Sequence, residues 1–234
     1  MLNIFKEKLR LAKIVVSVGL RFMLKKPVVT RFHLPILSTL LNLTGEGVEI
    51  GVFEGTFSEV ILTKSNLSVL HSVDPWKEFD KSIYDDINSV SAAEHEKRYE
   101  TTVRKLSPFG KRSNLLRLTS AEAAKLYKPE TLDFVYIDAN HSYEECRKDI
   151  ELWFPKLKKG GIFAGHDYLD GNLPEGNFGV KRAVDEFVAK SGQFLFVSTD
   201  KYPSWYLVKD KKIEYPSIAC RIFRSVLTQL RNFY

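Results

Sequence analysis

Three features of the sequence predict an α/β fold: a doubly wound, mostly parallel sheet with a C-terminal antiparallel hairpin and helices on both faces. Short apolar runs alternate with capped helical segments between about residues 48 and 189. One run, Leu132–Ile137, is apolar almost throughout, as a strand buried on both faces requires. The last two runs, residues 194–198 and 205–209, flank a short Pro-containing turn that suits an antiparallel pair. In such sheets ligands bind beyond the carboxyl ends of the strands, so candidate site residues should cluster there.

Each element has a local reason. At the start, Leu2, Phe5, Leu9, Ala12, Val16, Leu20 and Met23 recur three and four residues apart, the stripe of an amphipathic helix, with Lys6, Arg10, Lys13 and Arg21 outside it. Residues 1–40 read as an N-terminal arm, 41–212 as the body, and 213–234 as a second amphipathic helix. In that tail Ile222, Val226 and Leu230 share a face among Arg221, Arg224 and Arg231. Residues 48–50 form the first strand, followed by a glycine turn and a helix through 58–63. The second strand, 68–73, ends at Asp74-Pro75. Ser91 and Glu94 have capping-box spacing and open a charged helix to about Lys105. Residues 114–118 form the third strand, and Thr119 with Glu122 repeats the capping spacing. After the fourth strand, Leu132–Ile137, Ser142 caps a helix that reaches Trp153. Gly160-Gly161 ends that segment and leads into a fifth strand over 162–165. Residues 169–179, with Gly171, Gly176 and Gly179 around Pro174, read as a lid loop, and a helix follows over about 180–189.

Composition narrows the function classes. The 234 residues, 44% hydrophobic and 12% aromatic, can bury a full core and are unlike a disordered chain. Two cysteines cannot make a disulfide framework or a cysteine-based zinc site, so a cytoplasmic location is expected. No uncharged apolar run approaches the roughly 20 residues of a membrane helix. The N-terminal stretch also lacks the h-region and cleavage site of a signal peptide. The net charge of +6 is unevenly placed: residues 1–31 carry +7 and the rest of the chain −1. A near-neutral body argues against nucleic acid as a partner. The arm is expected to pack on the body or on a second subunit of a homo-oligomer and to carry no chemistry, the alternative being peripheral contact with an anionic membrane.

The chemistry-bearing residues lie at the predicted strand ends. Gly51 and Gly55 let the turn after strand one tighten and approach a ligand without a Cβ in the way. Asp74, ending strand two, is placed to accept ribose hydroxyls. The pattern fits a nicotinamide cofactor as well as other adenosyl ligands. However, Phe53 stands at the middle glycine position, where a pyrophosphate needs space, and Glu49 adds an acid that can pair with an ammonium group. Strands four and five deliver Asp138-Ala139-Asn140-His141 and His166-Asp167-Tyr168 to the same edge. His71 reads as a core histidine within a strand, and His33 and His95 are assigned no role.

With these residues in place, the sequence resembles the class I S-adenosylmethionine-dependent methyltransferases, Rossmann-like enzymes. It is most similar to the small-molecule branch of macrolide-sugar and catechol O-methyltransferases and cephalosporin-hydroxylase-like proteins. The resemblance rests on Val48-Glu49-Ile50-Gly51-Val52-Phe53-Glu54-Gly55, Ser72-Val73-Asp74-Pro75-Trp76 and Val135-Tyr136-Ile137-Asp138-Ala139-Asn140-His141-Ser142-Tyr143. It continues through Asp149-Ile150, Trp153, Leu157-Lys158-Lys159-Gly160-Gly161 and Gly165-His166-Asp167-Tyr168. It implies that Glu49, Gly51, Phe53 and Gly55 surround the methionyl part of S-adenosylmethionine, that Asp74 binds its ribose, and that Ser120 and Ala121 lie by its adenine. Asp138 would border both cofactor and acceptor. It further implies a divalent metal (Mg, Mn or Zn) on Asp138, His166 and Asp167, with His141 as the base for a hydroxyl on a small molecule or sugar. A nitrogen ligand at His166 suits Mn²⁺ or Zn²⁺ better than Mg²⁺. The unperturbed imidazole pKa near 6.5 suits His141 to proton transfer near neutrality. The competing readings are a cofactor-binding or hydroxylase-like relative that transfers no methyl group, and a nicotinamide-dependent oxidoreductase.

Overall fold

The computed structural model describes residues 2–24, 26–78, 90–174 and 176–210 of the chain. The main sheet has seven strands: β1 (Glu46–Ile50), β2 (Val69–Val73), β3 (Ser113–Leu116), β4 (Leu132–Ile137), β5 (Leu157–Gly165), β8 (Phe196–Val197) and β9 (Trp205–Val208). Their spatial order is β3-β2-β1-β4-β5-β9-β8. The first five run parallel, while β9 is antiparallel to β5 and to β8. The order reverses at β1, the switch point where such sheets open a crevice.

Helices cover both faces: α1 (Leu2–Met23), α2 (Leu34–Leu40), α3 (Thr56–Lys64), α4 (Ala92–Leu106), α5 (Ser120–Ala124), α6 (Tyr143–Trp153) and α7 (Val180–Ser191). The period-two alternation of β4 divides the core in two. Phe134 and Tyr136 join Val15, Leu34, Leu37, Phe57 and Ile61, from α1, α2 and α3, on one face. Val135 and Ile137 join Ala123, Ile150, Trp153 and Val184, from α5, α6 and α7, on the other. All six residues of β4 are buried, which explains its nearly continuous apolar run; the exception, Asp133, accepts from the Gly45 N–H and from Lys158.

Register brings the strand ends level. Ile50 lies opposite both Val73 and Ile137, and Ile137 lies opposite Gly165. The residues that follow, Gly51, Asp74, Asp138 and His166, therefore leave the sheet along one rim.

Several elements depart from the sequence reading. The fifth strand starts at Leu157, because a register irregularity lets Leu157 pair with Leu132 before Ile162 pairs with Phe134. The third strand ends at Leu116 and the eighth is two residues long. Ser91 and Thr119 cap their helices as expected, and Glu122 completes the box at Thr119. Ser142 makes no side-chain cap; instead its N–H donates to Asn140 Oδ1 at 2.8 Å. The expected lid loop is a hairpin, β6 (Asp170–Leu173) paired antiparallel with β7 (Gly176–Gly179). Gly179 seals it to α6: a Cβ there would lie 2.5 Å from Cβ of Tyr143. Residues 28–40, read as arm, pack into the body. Val28, Leu34, Leu37 and Leu40 are buried in its core, and the Val28 N–H donates to the Tyr206 hydroxyl at 3.1 Å. The C-terminal helix expected over 213–234 lies outside the described residues. Among those residues, no helix is long and apolar enough to cross a membrane.

Candidate active site

The rim of the sheet opens into a cavity of about 650 Å³. It is bordered by the ends of β1, β2, β4 and β5 and by residues from the chain before β1, and its volume lies in the range of small-molecule sites.

Part of its lining is built by the turn after β1. Gly51 has φ +83°, and a Cβ on it would stand 1.9 Å from the Asp138 carbonyl oxygen. The close approach is fixed from both sides, since Asp138 N–H donates to Ile50 O at 2.7 Å and Gly51 N–H to Val73 O at 2.9 Å. Phe53 and Gly55 also have positive φ, +56° and +74°. The carboxylate of Asp74 holds this turn in place. Its Oδ2 accepts from the N–H groups of Val52 (3.0 Å) and Phe53 (3.1 Å), and its Oδ1 from that of Trp76 (2.8 Å). Trp76 closes the loop by donating its indole N–H to Phe53 O at 2.9 Å. Asp74 thus borders the cavity as expected, with part of its acceptor capacity already committed to backbone.

Beneath the turn, Glu49 is buried and accepts from the Ser58 hydroxyl, which in turn lies 2.9 Å from the Ser72 hydroxyl. Burial pushes its carboxyl up to about 8, against the opposing effect of the Ser58 hydrogen bond. Ser58 and Ser72 were invisible as site residues because small hydroxyls are common in strands and at helix starts. Ser120 and Ala121 line the cavity further along. Ser120 donates to Asp149 and accepts the Trp153 indole N–H at 2.9 Å, and burial raises the Asp149 carboxyl to about 6.

The residues after β4 and β5 gather beside the turn after β1. His141 Nε2 lies 3.1 Å from Asp167 Oδ2 and 3.7 Å from Asp138 Oδ1. His166 Nδ1 lies 3.0 Å from Asp167 Oδ1 and 3.8 Å from Asp138 Oδ1. Asp167 has φ +48°, the kind of sparsely populated backbone that clusters at functional sites. The ring of His141 stacks on Phe178 of β7 at 4.8 Å, so the hairpin forms a wall of the site.

Electrostatics correct one expectation here. Burial alone would lower the His141 pKa, but Asp138 and Asp167 outweigh it and raise it to about 10. His141 therefore rests as an imidazolium, and is not the base with an ordinary pKa near 6.5 that its sequence position suggests. Burial likewise opposes ionisation of Asp167, yet His141 and His166 hold its carboxyl well below the usual range.

Both imidazoles stand beside the two carboxylates. Among the described residues, Asp138, His141 and Asp167 offer donor atoms that all lie within 4.8 Å of one another, while His166, expected as a ligand with the two aspartates, has Nδ1 3.0 Å from Asp167 and 3.8 Å from Asp138. Two carboxylate oxygens and one imidazole nitrogen at that spacing fit a divalent cation.

Arg31 is a further site residue that the sequence does not single out. Its Nη1 donates to Asp138 Oδ2 at 2.8 Å, and its guanidinium lies 5.1 Å from the Phe57 ring centroid. Burial alone would make it easier to deprotonate, but Tyr136 and Asp138 outweigh that and keep it charged. Arg31 lies in the segment expected to carry no chemistry, yet it borders the cavity. Nothing in the sequence separates Arg31 from the seven other basic residues of that segment. His95, also assigned no role, lines the cavity from α4. His71 bonds Glu46 (3.0 Å) and Asn114 (2.9 Å) away from the cavity, as a structural histidine would.

Comparison with known proteins follows from this geometry. Residues 48–168 match a family model described as a methyltransferase domain, a span covering β1 to just past β5. Among curated proteins, the chain is 32% identical over 77 residues to the uncharacterized protein y4gI of Sinorhizobium fredii, and 24% identical over 146 residues to the uncharacterized protein R132 of Acanthamoeba polyphaga mimivirus. These alignments cover 33% and 59% of the chain, and 8% and 60% of the two relatives. Among solved structures, a putative caffeoyl-CoA O-methyltransferase from Staphylococcus aureus superposes with a TM-score of 0.54 at 16% identity, over 89% of this chain and 100% of that one. An O-methyltransferase from Bacillus cereus in complex with SAH gives 0.53 at 14%, over 85% and 90%. At such identities the superpositions establish a shared fold.

Proposed function

Because the chain belongs to the methyltransferase-domain family that its residues 48–168 match, we propose that it transfers the methyl group of S-adenosylmethionine to a hydroxyl of a small-molecule acceptor. The observation that carries this reading is the lining of one cavity: a backbone cradle with a buried carboxyl, and beside it two carboxylates with an imidazole. The cradle suits this cofactor in that the turn at Gly51, Val52 and Phe53 lines the cavity and Glu49 borders it with a carboxyl that can meet an ammonium group. When bound, the cofactor supplies an electrophilic methyl group on sulfonium.

The chain's own residues have three tasks. Glu49, Asp74 and the Gly51–Gly55 backbone orient the cofactor, and Ser120 and Ala121 border its adenine. Arg31 holds the Asp138 carboxylate so that Oδ1 faces His141. His141 handles the hydroxyl proton at Nε2. A divalent cation held by Asp138 and Asp167 would lower the pKa of the acceptor hydroxyl and replace the charge that the His141 proton supplies. Release of S-adenosylhomocysteine with hydroxyl-bearing acceptors tests the reading. Cofactor binding without turnover on any acceptor would instead identify a non-transferring binder.

A linked-proton measurement tests the cradle alone. Glu49 is neutral below about 8 in the free protein, and an arriving ammonium favours its carboxylate. Cofactor binding is therefore expected to expel about one proton near pH 6.5, and affinity to rise roughly tenfold per pH unit below the carboxyl's pKa. Calorimetry in two buffers of different ionisation enthalpy reads the proton directly. A proton count of zero, or an unchanged count in Glu49→Gln, would remove Glu49 from the ammonium site.

A further inference from the structure

α1 has two apolar sides, and only one is buried. Ala12, Val15 and Val18 are buried, Val15 and Val18 in the core shared with α2 and α3. Around the helix, Leu9 and Leu20 are 39% and 49% exposed, and Leu24, just past its end, is 66% exposed. At 3.6 residues per turn, Leu9, Lys13, Leu20 and Leu24 fall within an arc of about 60°. With Val16 and Ser17 they line a shallow groove along the helix. Exposed leucines in a row on one helix mark an interaction surface rather than the scattered apolar residues of an ordinary exterior.

Charge selects the occupant. Residues 1–31 carry +7 while the rest of the chain carries −1. Lys6, Arg10 and Lys13 are exposed on or beside the leucine arc. A second copy would bring the same positive helix against this one. Residues 211–234 carry five basic residues and one acid, so they too are like-charged. An anionic bilayer satisfies both features: leucines enter the boundary between headgroups and acyl chains while the cations meet anionic headgroups. We propose that this face of α1 docks the protein on anionic lipid surfaces. The inference is independent of the methyl-transfer reading, since none of these residues lines the cavity.

Vesicle co-sedimentation of the full chain tests it. The protein is expected to bind phosphatidylcholine vesicles containing roughly 30% phosphatidylserine, to ignore pure phosphatidylcholine, and to be released by about 0.5 M salt. The double variant Leu20→Glu/Leu24→Glu should lose at least about tenfold in bound fraction. Both positions are exposed, so unchanged thermal unfolding and cofactor affinity report that the body is intact. Lys13→Glu should weaken binding to anionic vesicles without changing the oligomeric state. Failure of the full chain to bind anionic vesicles overturns the proposal, as does undiminished binding by the double variant. A change of oligomeric state in the double variant, without vesicle binding by the parent, would assign the face to a second copy.

Discussion

Replacing His141 by alanine is expected to lower turnover by about 10²–10⁴-fold while leaving S-adenosylmethionine affinity nearly intact. On the proposed reading this imidazole, 3.1 Å from Asp167, moves a proton between substrate oxygen and solvent. Asp167→Ala should cause a loss of similar size for a different reason, because it removes a proposed cation ligand and the main fixed partner of His141 and His166. The pH dependence carries a sign. In chelated protein His141 keeps its proton until about pH 10. Turnover without added metal should therefore climb with pH across the range from 7 to about 10. Adding Mn²⁺ or Mg²⁺ should move that rise to lower pH, since cation and imidazolium proton compensate the same two carboxylates. Steady-state profiles with chelator and with metal separate these cases. A flat chelated profile, or full activity in His141→Ala, would place the base elsewhere. Full activity after exhaustive chelation, with the same profile, would remove the cation from the mechanism.

The second large effect is expected at Gly51. An alanine there meets two penalties at once: a φ of +83° that L-residues rarely adopt, and a Cβ 1.9 Å from the Asp138 carbonyl oxygen. The contact is to backbone, so no side chain can rotate away. Either β1 and β4 separate at their ends or the turn rebuilds, at a cost of about 3 kcal/mol or more. Gly51→Ala should lose detectable cofactor binding together with a marked drop in unfolding temperature. Gly171→Ala is the control, because its Cβ would meet nothing within 4 Å despite its positive φ. Equal destabilisation by the two would show that backbone strain alone, without the Asp138 overlap, governs the site.

The parts of this site that sequence could show are those held by strand register. Asp74, Asp138 and Asp167 follow apolar runs whose ends had to align once the runs paired in parallel, so their convergence was predictable before any contact was known. Contacts between separate segments were not. Arg31 and Asp138 are 107 residues apart, and no periodicity links them. That His141 as well as His166 stands beside both carboxylates depends on which way each side chain turns after its strand. The form of the lid segment was not legible either: three glycines and a proline signal irregular chain, yet the pairing of Asp170 with Gly179 makes a hairpin, which borders the cavity through Phe178. Ordinary pKa values also misled at His141, because its two carboxylate neighbours come from two different loops.

The bond from Arg31 to Asp138 bears on how relatives of this protein diversify. The region shared across the family begins at residue 48, so half of this ion pair lies outside it. An exchange of the first 40 residues between two members would look like a swap of a peripheral extension, yet it would replace the guanidinium that borders the cavity beside Asp138. Recombination is then expected to preserve function only when the leading segment travels with the sheet on which it lies.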